Sequence, residues 1–118
     1  MKRYGSVIGV RPEKLEEYKK LHAEVWQGVL KMIKECNIRN YSIYYKDGLL
    51  LSYYEYIGSD YEADMARMAA DPETQRWWAV CMPCQQPLDT RKEVHKGRYF
   101  FFAYFVVKLC VLCGFLFI

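Results

Sequence analysis

"NYSIYYKDGLLLSYYEYI", Asn40 to Ile57, reads as two strand patterns joined through Lys46, Asp47 and Gly48. Asp-Gly is a strong hairpin signal because both residues accept positive φ. In the first strand Tyr41, Ile43 and Tyr45 share one face, while Ser42 and Tyr44 share the other. Alternation alone does not say which face meets the core. Upstream, Tyr4 to Val10 reads as a short strand. A helix then opens at Pro12, with Glu13, Glu16 and Glu17 at its positive end. Its apolar positions are Leu15, Val25, Val29 and Ile33, and Cys36 and Asn37 bring it to a close. Downstream, Ser59 and Asp60 are N-cap candidates for a second helix through Ala70, and Asp71 and Pro72 break it and start another. The order is β-α-β-β-α, with the last strand still missing when the tail begins. It predicts an α+β fold of the ferredoxin-like, split βαβ kind.

The chain has 118 residues, which suits a single domain with one core. Hydrophobic residues make up 53%, enough to exclude a disordered chain. The formal net charge is +3, from 17 Lys+Arg against 14 Asp+Glu, too mild to argue for nucleic acid. No Lys/Arg run resembles a phosphate-binding patch. "MKRYGSVIGV" lacks the apolar stretch of a signal peptide. Five cysteines, an odd count, fit reduced thiols in a cytoplasmic protein better than a disulfide framework. Eleven tyrosines, with an apolar body and a polar tip each, suit a binding cavity as well as a core.

Two stretches hold the chemistry. "EYKKLHAEVW", Glu17 to Trp26, puts Tyr18 and His22 four residues apart, hence on one helix face, between Leu15 and Val25 on the stripe that should meet the sheet. A phenol and an imidazole there are either a satisfied polar pair in the core or the wall of a pocket. His22 is the only histidine of the patterned body, so it is the obvious group for proton transfer near neutral pH. "DPETQRWWAV", Asp71 to Val80, puts Trp77 and Trp78 side by side. Adjacent helical side chains point about 100° apart, so one core anchor with one partly exposed neighbour is the plain expectation.

The register "EEYKKLHAEVW", "RNYSIYY" and "DPETQRWW" resembles the L-rhamnose mutarotases, over roughly Lys2 to Glu93. The resemblance implies a ferredoxin-like subunit that forms a homodimer through its sheet. It also implies an isomerase that interconverts the α and β anomers of L-rhamnose without a cofactor. Tyr18, His22 and Tyr41 match the family's sugar-site positions, His22 its proton donor, and Trp77 and Trp78 its paired aromatic residues. Such residue types suit the task. Opening and reclosing a hemiacetal requires a proton on the ring oxygen and another removed from the anomeric hydroxyl, and an imidazole with a pKa of about 6.5 can do both. The methyl group and C–H faces of a 6-deoxy sugar favour flat apolar partners. Other classes remain open: a sugar-binding or membrane-tethered interaction protein on the same scaffold, or another dimeric α+β barrel, haem-binding or monooxygenase-like. Tyr18–His22 spacing with a tryptophan pair favours sugar over haem.

"CMPC" (Cys81 to Cys84) and "CVLC" (Cys110 to Cys113) are two C-x2-C pairs. Their wide separation and the unbroken apolar run around the second pair argue for inert thiols over a zinc knuckle or a redox pair. These features divide the chain into a mutarotase-like α+β domain over residues 1–93 and an atypical hydrophobic tail over 94–118. Relatives normally follow the "QPLDTRKE" region with a short Trp- and Glu-containing stretch and a brief final strand, which the tail here replaces. In Tyr99 to Ile118 only Lys108 is charged. Its apolar residues sum to roughly −6 kcal/mol for membrane insertion against about +3 for the lysine. Three readings stay open: "YFFFAYFVV" as the final strand, the segment as a membrane anchor, and an altered end of the coding sequence.

Overall fold

The computed structural model describes residues 1–88, 111, 112 and 115–117. Strand β1 (Lys2–Val10) leads through a 3-10 turn (Pro12–Lys14) into helices α1 (Leu15–Ala23) and α2 (Gln27–Glu35). The hairpin β2 (Ile38–Lys46) and β3 (Leu49–Tyr56) follows, then α3 (Tyr61–Ala70) and α4 (Pro72–Cys81). A second 3-10 turn (Met82–Cys84) leads into β4 (Gln85–Gln86), and the described part of the tail forms β5 (Val111–Leu112) and β6 (Phe115–Phe117). Among the described residues the sheet runs β4-β1-β3-β2-β6-β5, every neighbouring pair antiparallel. Its first four strands have the split βαβ order, as the sequence predicts.

Local chemistry explains most boundaries. Asp47 and Gly48 both have positive φ, 48° and 81°, the turn that lets β2 and β3 pair directly. Asp60 caps α3 by accepting from the backbone N–H of Ala63. Asp71 caps α4 more firmly: its Oδ2 accepts from the Thr74 backbone N–H at 2.9 Å and from the Thr74 hydroxyl at 2.8 Å, with Pro72 in the first turn.

The strand alternation is reset once. Arg39 pairs with Glu55 and Ser42 with Tyr53, so Asn40 and Tyr41 together stand opposite Tyr54. This β-bulge, with Asn40 at φ 50°, turns Ile38, Tyr41 and Ile43 all onto the buried face. That face is covered by the helices through Tyr18, Val29, Ile33, Met65, Met68 and Trp77. The opposite face stays open, with Val7 45% and Leu51 39% exposed.

Three features differ from the sequence reading. The first helix is two helices: Glu24 (φ −135°, ψ 69°) ends α1, and extended Trp26 (φ −61°, ψ 136°) starts α2. No glycine or proline marks this break. Val25 and Trp26 pack against the core instead, and packing overrides helix propensity. The fourth strand also precedes the tail. Gln85 and Gln86 pair with Val10 and Gly9 at the β1 edge. A Cβ on Gly9 would lie 2.7 Å from the Gln86 carbonyl oxygen, so this close approach needs glycine. The tail's β6 pairs with Tyr44 and Tyr45 at the opposite edge. The strand reading of "YFFFAYFVV" and the second C-x2-C pair, Cys110 and Cys113, lie outside the described residues, as does most of Tyr99 to Ile118, on which the anchor reading rests. Among the described residues no helix is long and apolar enough to cross a membrane. Lastly, both tryptophans of α4 are buried, where one partly exposed ring was expected. Trp77 is 0% exposed and Trp78 8%. Helix α4 packs against α2 and α3 at once, so two of its directions face the interior.

Candidate active site

The α1 helix delivers Tyr18 and His22 to the same buried spot, as the four-residue spacing predicts. Their rings stack at 3.9 Å between centroids and 25° between planes. His22 Nδ1 lies 2.7 Å from the backbone carbonyl oxygen of Tyr18. A carbonyl only accepts, so Nδ1 carries the proton and donates, which leaves the Nε2 lone pair free. Nε2 is buried and meets no hydrogen-bond partner among the described residues. Burial holds the His22 pKa down at about 4, partly offset by the bond to the Tyr18 carbonyl. The imidazole is therefore neutral at pH 7, where its ordinary pKa would leave about a quarter of it protonated.

The α4 helix closes the other side. The Trp77 ring lies 5.3 Å from His22, tilted by 57°, and 5.3 Å from Trp26 in an edge-on contact. Trp78 belongs to the same buried cluster. From the sheet, Tyr41 enters the cluster and stacks on Tyr54 at 5.2 Å. Tyr54 continues to Tyr4 and, through a 2.5 Å contact between hydroxyls, to Tyr61. All five residues singled out from sequence thus lie in one buried layer. Tyr18, His22 and Trp77 are in direct ring contact there, and Tyr41 reaches the layer by way of the bulge.

The Tyr18 hydroxyl is buried, and burial is the main cause that raises its pKa, so the phenol stays protonated. The carboxamide of Gln85 comes up beside it and opposes part of this rise. Cys81 and Cys84 lie near the same phenol as free, buried thiols. Desolvation raises both of their pKa values, Cys81 far above the usual thiol range. Protonated thiols are poor nucleophiles and poor metal ligands.

A family model described as L-rhamnose mutarotase matches residues 3–101. The chain belongs to this family. An L-rhamnose mutarotase of Oceanobacillus iheyensis is 34% identical over 83 residues, covering 70% of this chain and 79% of that protein. Its counterpart in Bacillus subtilis is 33% identical over 85 residues, with the same coverage of 70% and 79%. That of Ligilactobacillus salivarius is 35% identical over 86 residues, covering 69% and 77%. The crystal structure of an L-rhamnose mutarotase from Formosa agariphila superposes with a TM-score of 0.58 over 78% of this chain and 97% of that one. At 16% identity it supports the fold alone.

Within this mutarotase fold, sequence reasoning missed two residues of the layer. Trp26 has no signal of its own in a sequence pattern that runs as one helix from Pro12 to Cys36. Its place beside Trp77 depends on the break between α1 and α2. Gln85 sits in "QQP", which carries neither strand alternation nor an apolar pattern, so its burial follows from pairing with β1 and has no local signal.

Proposed function

We propose that this protein is an L-rhamnose mutarotase, a cofactor-independent isomerase, with His22 as its acid/base residue. One observation carries the assignment: a neutral imidazole whose Nδ1–H is occupied by a backbone carbonyl and whose buried Nε2 is left to the ligand. Nε2 takes the proton of the anomeric hydroxyl as the C1–O5 bond of the sugar breaks. The ring oxygen takes up a proton from a hydroxyl donor, the role for which the protonated Tyr18 phenol is suited. Rotation about C1–C2 and reversal of both transfers close the ring as the other anomer, with no net change in protons. Tyr41, Trp77 and Trp78 supply the walls that bind and orient the sugar. Family membership at 33–35% identity to the Bacillus and Ligilactobacillus mutarotases supports the same reading.

Anomer exchange of L-rhamnose by saturation-transfer NMR tests the role. His22→Gln keeps much of the volume and a hydrogen-bonding end but cannot shuttle a proton. It should slow exchange by about 10²–10⁴-fold, the usual worth of a positioned proton-transfer group. Near wild-type exchange by this variant would move the acid/base role to Tyr18 or Tyr41.

We also infer a homodimer built on the open sheet face. Val7, Leu51 and Tyr44 stand side by side across β1, β3 and β2 in that order, an apolar row suited to a second copy. We place the catalytic domain at residues 1–93, with 94–118 as an appended tail. The free thiols of Cys36, Cys81 and Cys84 suit a reducing, cytoplasmic setting.

A further inference from the structure

The proposed base is closed in. Tyr18 and Trp77 are 0% exposed, His22 and Tyr41 are 3% exposed, and His22 Nε2 itself is buried. A pyranose reaches that nitrogen only if a wall of the layer moves. Most walls are anchored in regular structure. Tyr18 and His22 lie within α1, Tyr41 lies within β2, and Trp77 lies within α4 behind the Asp71 cap. Among the described residues Trp26 is the exception. It is half-buried and meets Trp77 edge-on at 5.3 Å. It stands at the end of the link between α1 and α2, where Ala23, Glu24 and Gln27 are exposed.

One side chain from α4 holds the start of α2. The Glu73 carboxylate lies against Gly28, so close that a Cβ there would overlap it. Trp26, the N-cap residue of α2, has no oxygen on its side chain to offer the free N–H groups of the first turn. The carboxylate brings negative charge to that positive end instead. Glu73 and Trp77 are four residues apart on α4, so one face of the helix carries both the contact with Gly28 and the contact with Trp26. Glu73 and Gly28 are both only half-buried, and a charge–dipole contact at such a place is weak.

We propose that Trp26 is the gate of the sugar site: its indole swings off Trp77 as the first turn of α2 comes away from Glu73, admits the sugar to His22, and returns over it. The inference rests on the sugar site proposed above. A ring that closes behind the sugar shields the proton transfers from water and lays a further flat surface beside its C–H groups.

The test uses the full chain with L-rhamnose. Binding is followed by stopped-flow tryptophan fluorescence and anomer exchange by saturation-transfer NMR. In the wild type the observed binding rate should level off as the sugar concentration rises, because opening limits entry. Trp26→Ala should raise the association rate by about 10-fold or more, the gain expected when an open state of about 10% population or less becomes the only one. Dissociation should quicken with it. Trp26→Phe keeps a flat ring and should stay near the wild type. Gly28→Ala displaces the flexible Glu73 carboxylate, and Glu73→Ala removes it. Both should lift the ceiling in the same direction as Trp26→Ala, although alanine favours a helix more than glycine does. The chain has 3 tryptophans, so in Trp26→Phe only Trp77 and Trp78 emit. Acrylamide should quench them weakly there and several-fold more strongly in Trp26→Ala. A wild-type rate that climbs in proportion to sugar concentration without a ceiling overturns the proposal. So does a Trp26→Ala variant with wild-type rates. If Trp26→Ala does not fold, Gly28→Ala and Glu73→Ala decide in its place, and unchanged ceilings in both overturn the gate. If the wild type binds L-rhamnose without exchanging its anomers, the mutarotase assignment falls and the gate is judged on the binding rates. If it exchanges anomers while every variant keeps the wild-type ceiling, the gate falls alone. No binding of L-rhamnose at all removes both.

Discussion

The Trp77 indole meets the His22 imidazole at 5.3 Å with a 57° tilt, and the same indole meets Trp26 at 5.3 Å in an edge-on contact. One fully buried ring therefore couples three helices, α4 to α1 and to the start of α2. Trp77 is part of the scaffold that holds the base as well as a wall of the site.

Truncating this ring should be costly. Trp77→Ala should lower unfolding stability by about 3–5 kcal/mol in urea titration, the usual loss for a large buried aromatic. Trp77→Phe should retain most of the stability but change the near-UV circular dichroism, because the asymmetric packing around Trp26 is lost. A Trp77→Ala variant as stable as the wild type would show that the ring contributes to the ligand site alone.

The pH dependence follows from His22. Its folded pKa, about 4, lies below the ordinary 6.5, because burial penalises the imidazolium. In the window between these values the unfolded chain binds more protons than the folded one, so stability rises with pH. The contribution is fully present above pH 6.5, declines as the pH falls through the window, and is gone below about 4. It amounts to about 3 kcal/mol over that range. Urea midpoints between pH 7.5 and 4 should therefore fall more steeply for the wild type than for His22→Gln. The kcat/KM profile should stay flat down to about pH 5 and drop near pH 4, as Nε2 becomes protonated and ceases to act as a base. An inflection near pH 6.5 would mean that the site is wetter than the buried geometry implies.

The α4 cap should be separable from the chemistry. Asp71→Ala removes the acceptor for both the Thr74 N–H and the Thr74 hydroxyl, and should cost about 1–2 kcal/mol by thermal unfolding. Thr74 is buried, so its orphaned hydroxyl adds to the loss. Asp60→Ala, with one cap bond at 3.1 Å on an exposed helix start, should cost less. Equal losses from the two variants would contradict the reading of Asp71 as the stronger cap.

Gly9→Ala should act at a distance. The new Cβ meets the Gln86 carbonyl, a backbone atom that cannot swing aside, so β4 must move from β1. Hydrogen exchange at the Arg11 amide, which donates to the Cys84 carbonyl, should accelerate, and L-rhamnose binding should weaken with it. Gly5→Ala on the same strand, where the nearest atom is the Ser52 carbonyl oxygen at 3.6 Å, should fold and bind normally.

What was legible in the sequence follows the range of each cause. The hairpin turn at Asp47–Gly48 and the caps at Asp60 and Asp71 act over a few residues and could be placed from residue type alone. Tyr18 and His22 shared a face because helical spacing is local. The break at Glu24–Trp26, the burial of both tryptophans and the strand at Gln85–Gln86 each depend on a partner distant in the chain. No window around them carries that information. Tyr41 is an intermediate case: its strand was readable, but its face was decided by the bulge at Asn40.

The proton on His22 Nδ1 is held by the carbonyl of residue 18, not by its side chain. Every amino acid at position 18 brings the same carbonyl, so mutation there can remove the phenol without releasing the proton. The choice of tautomer is thus inherited with the helix itself and is insensitive to genetic drift at neighbouring side chains. A lineage could exchange the sugar-facing residues of this layer, and with them the preferred sugar, while the reactive nitrogen stayed pointed the same way.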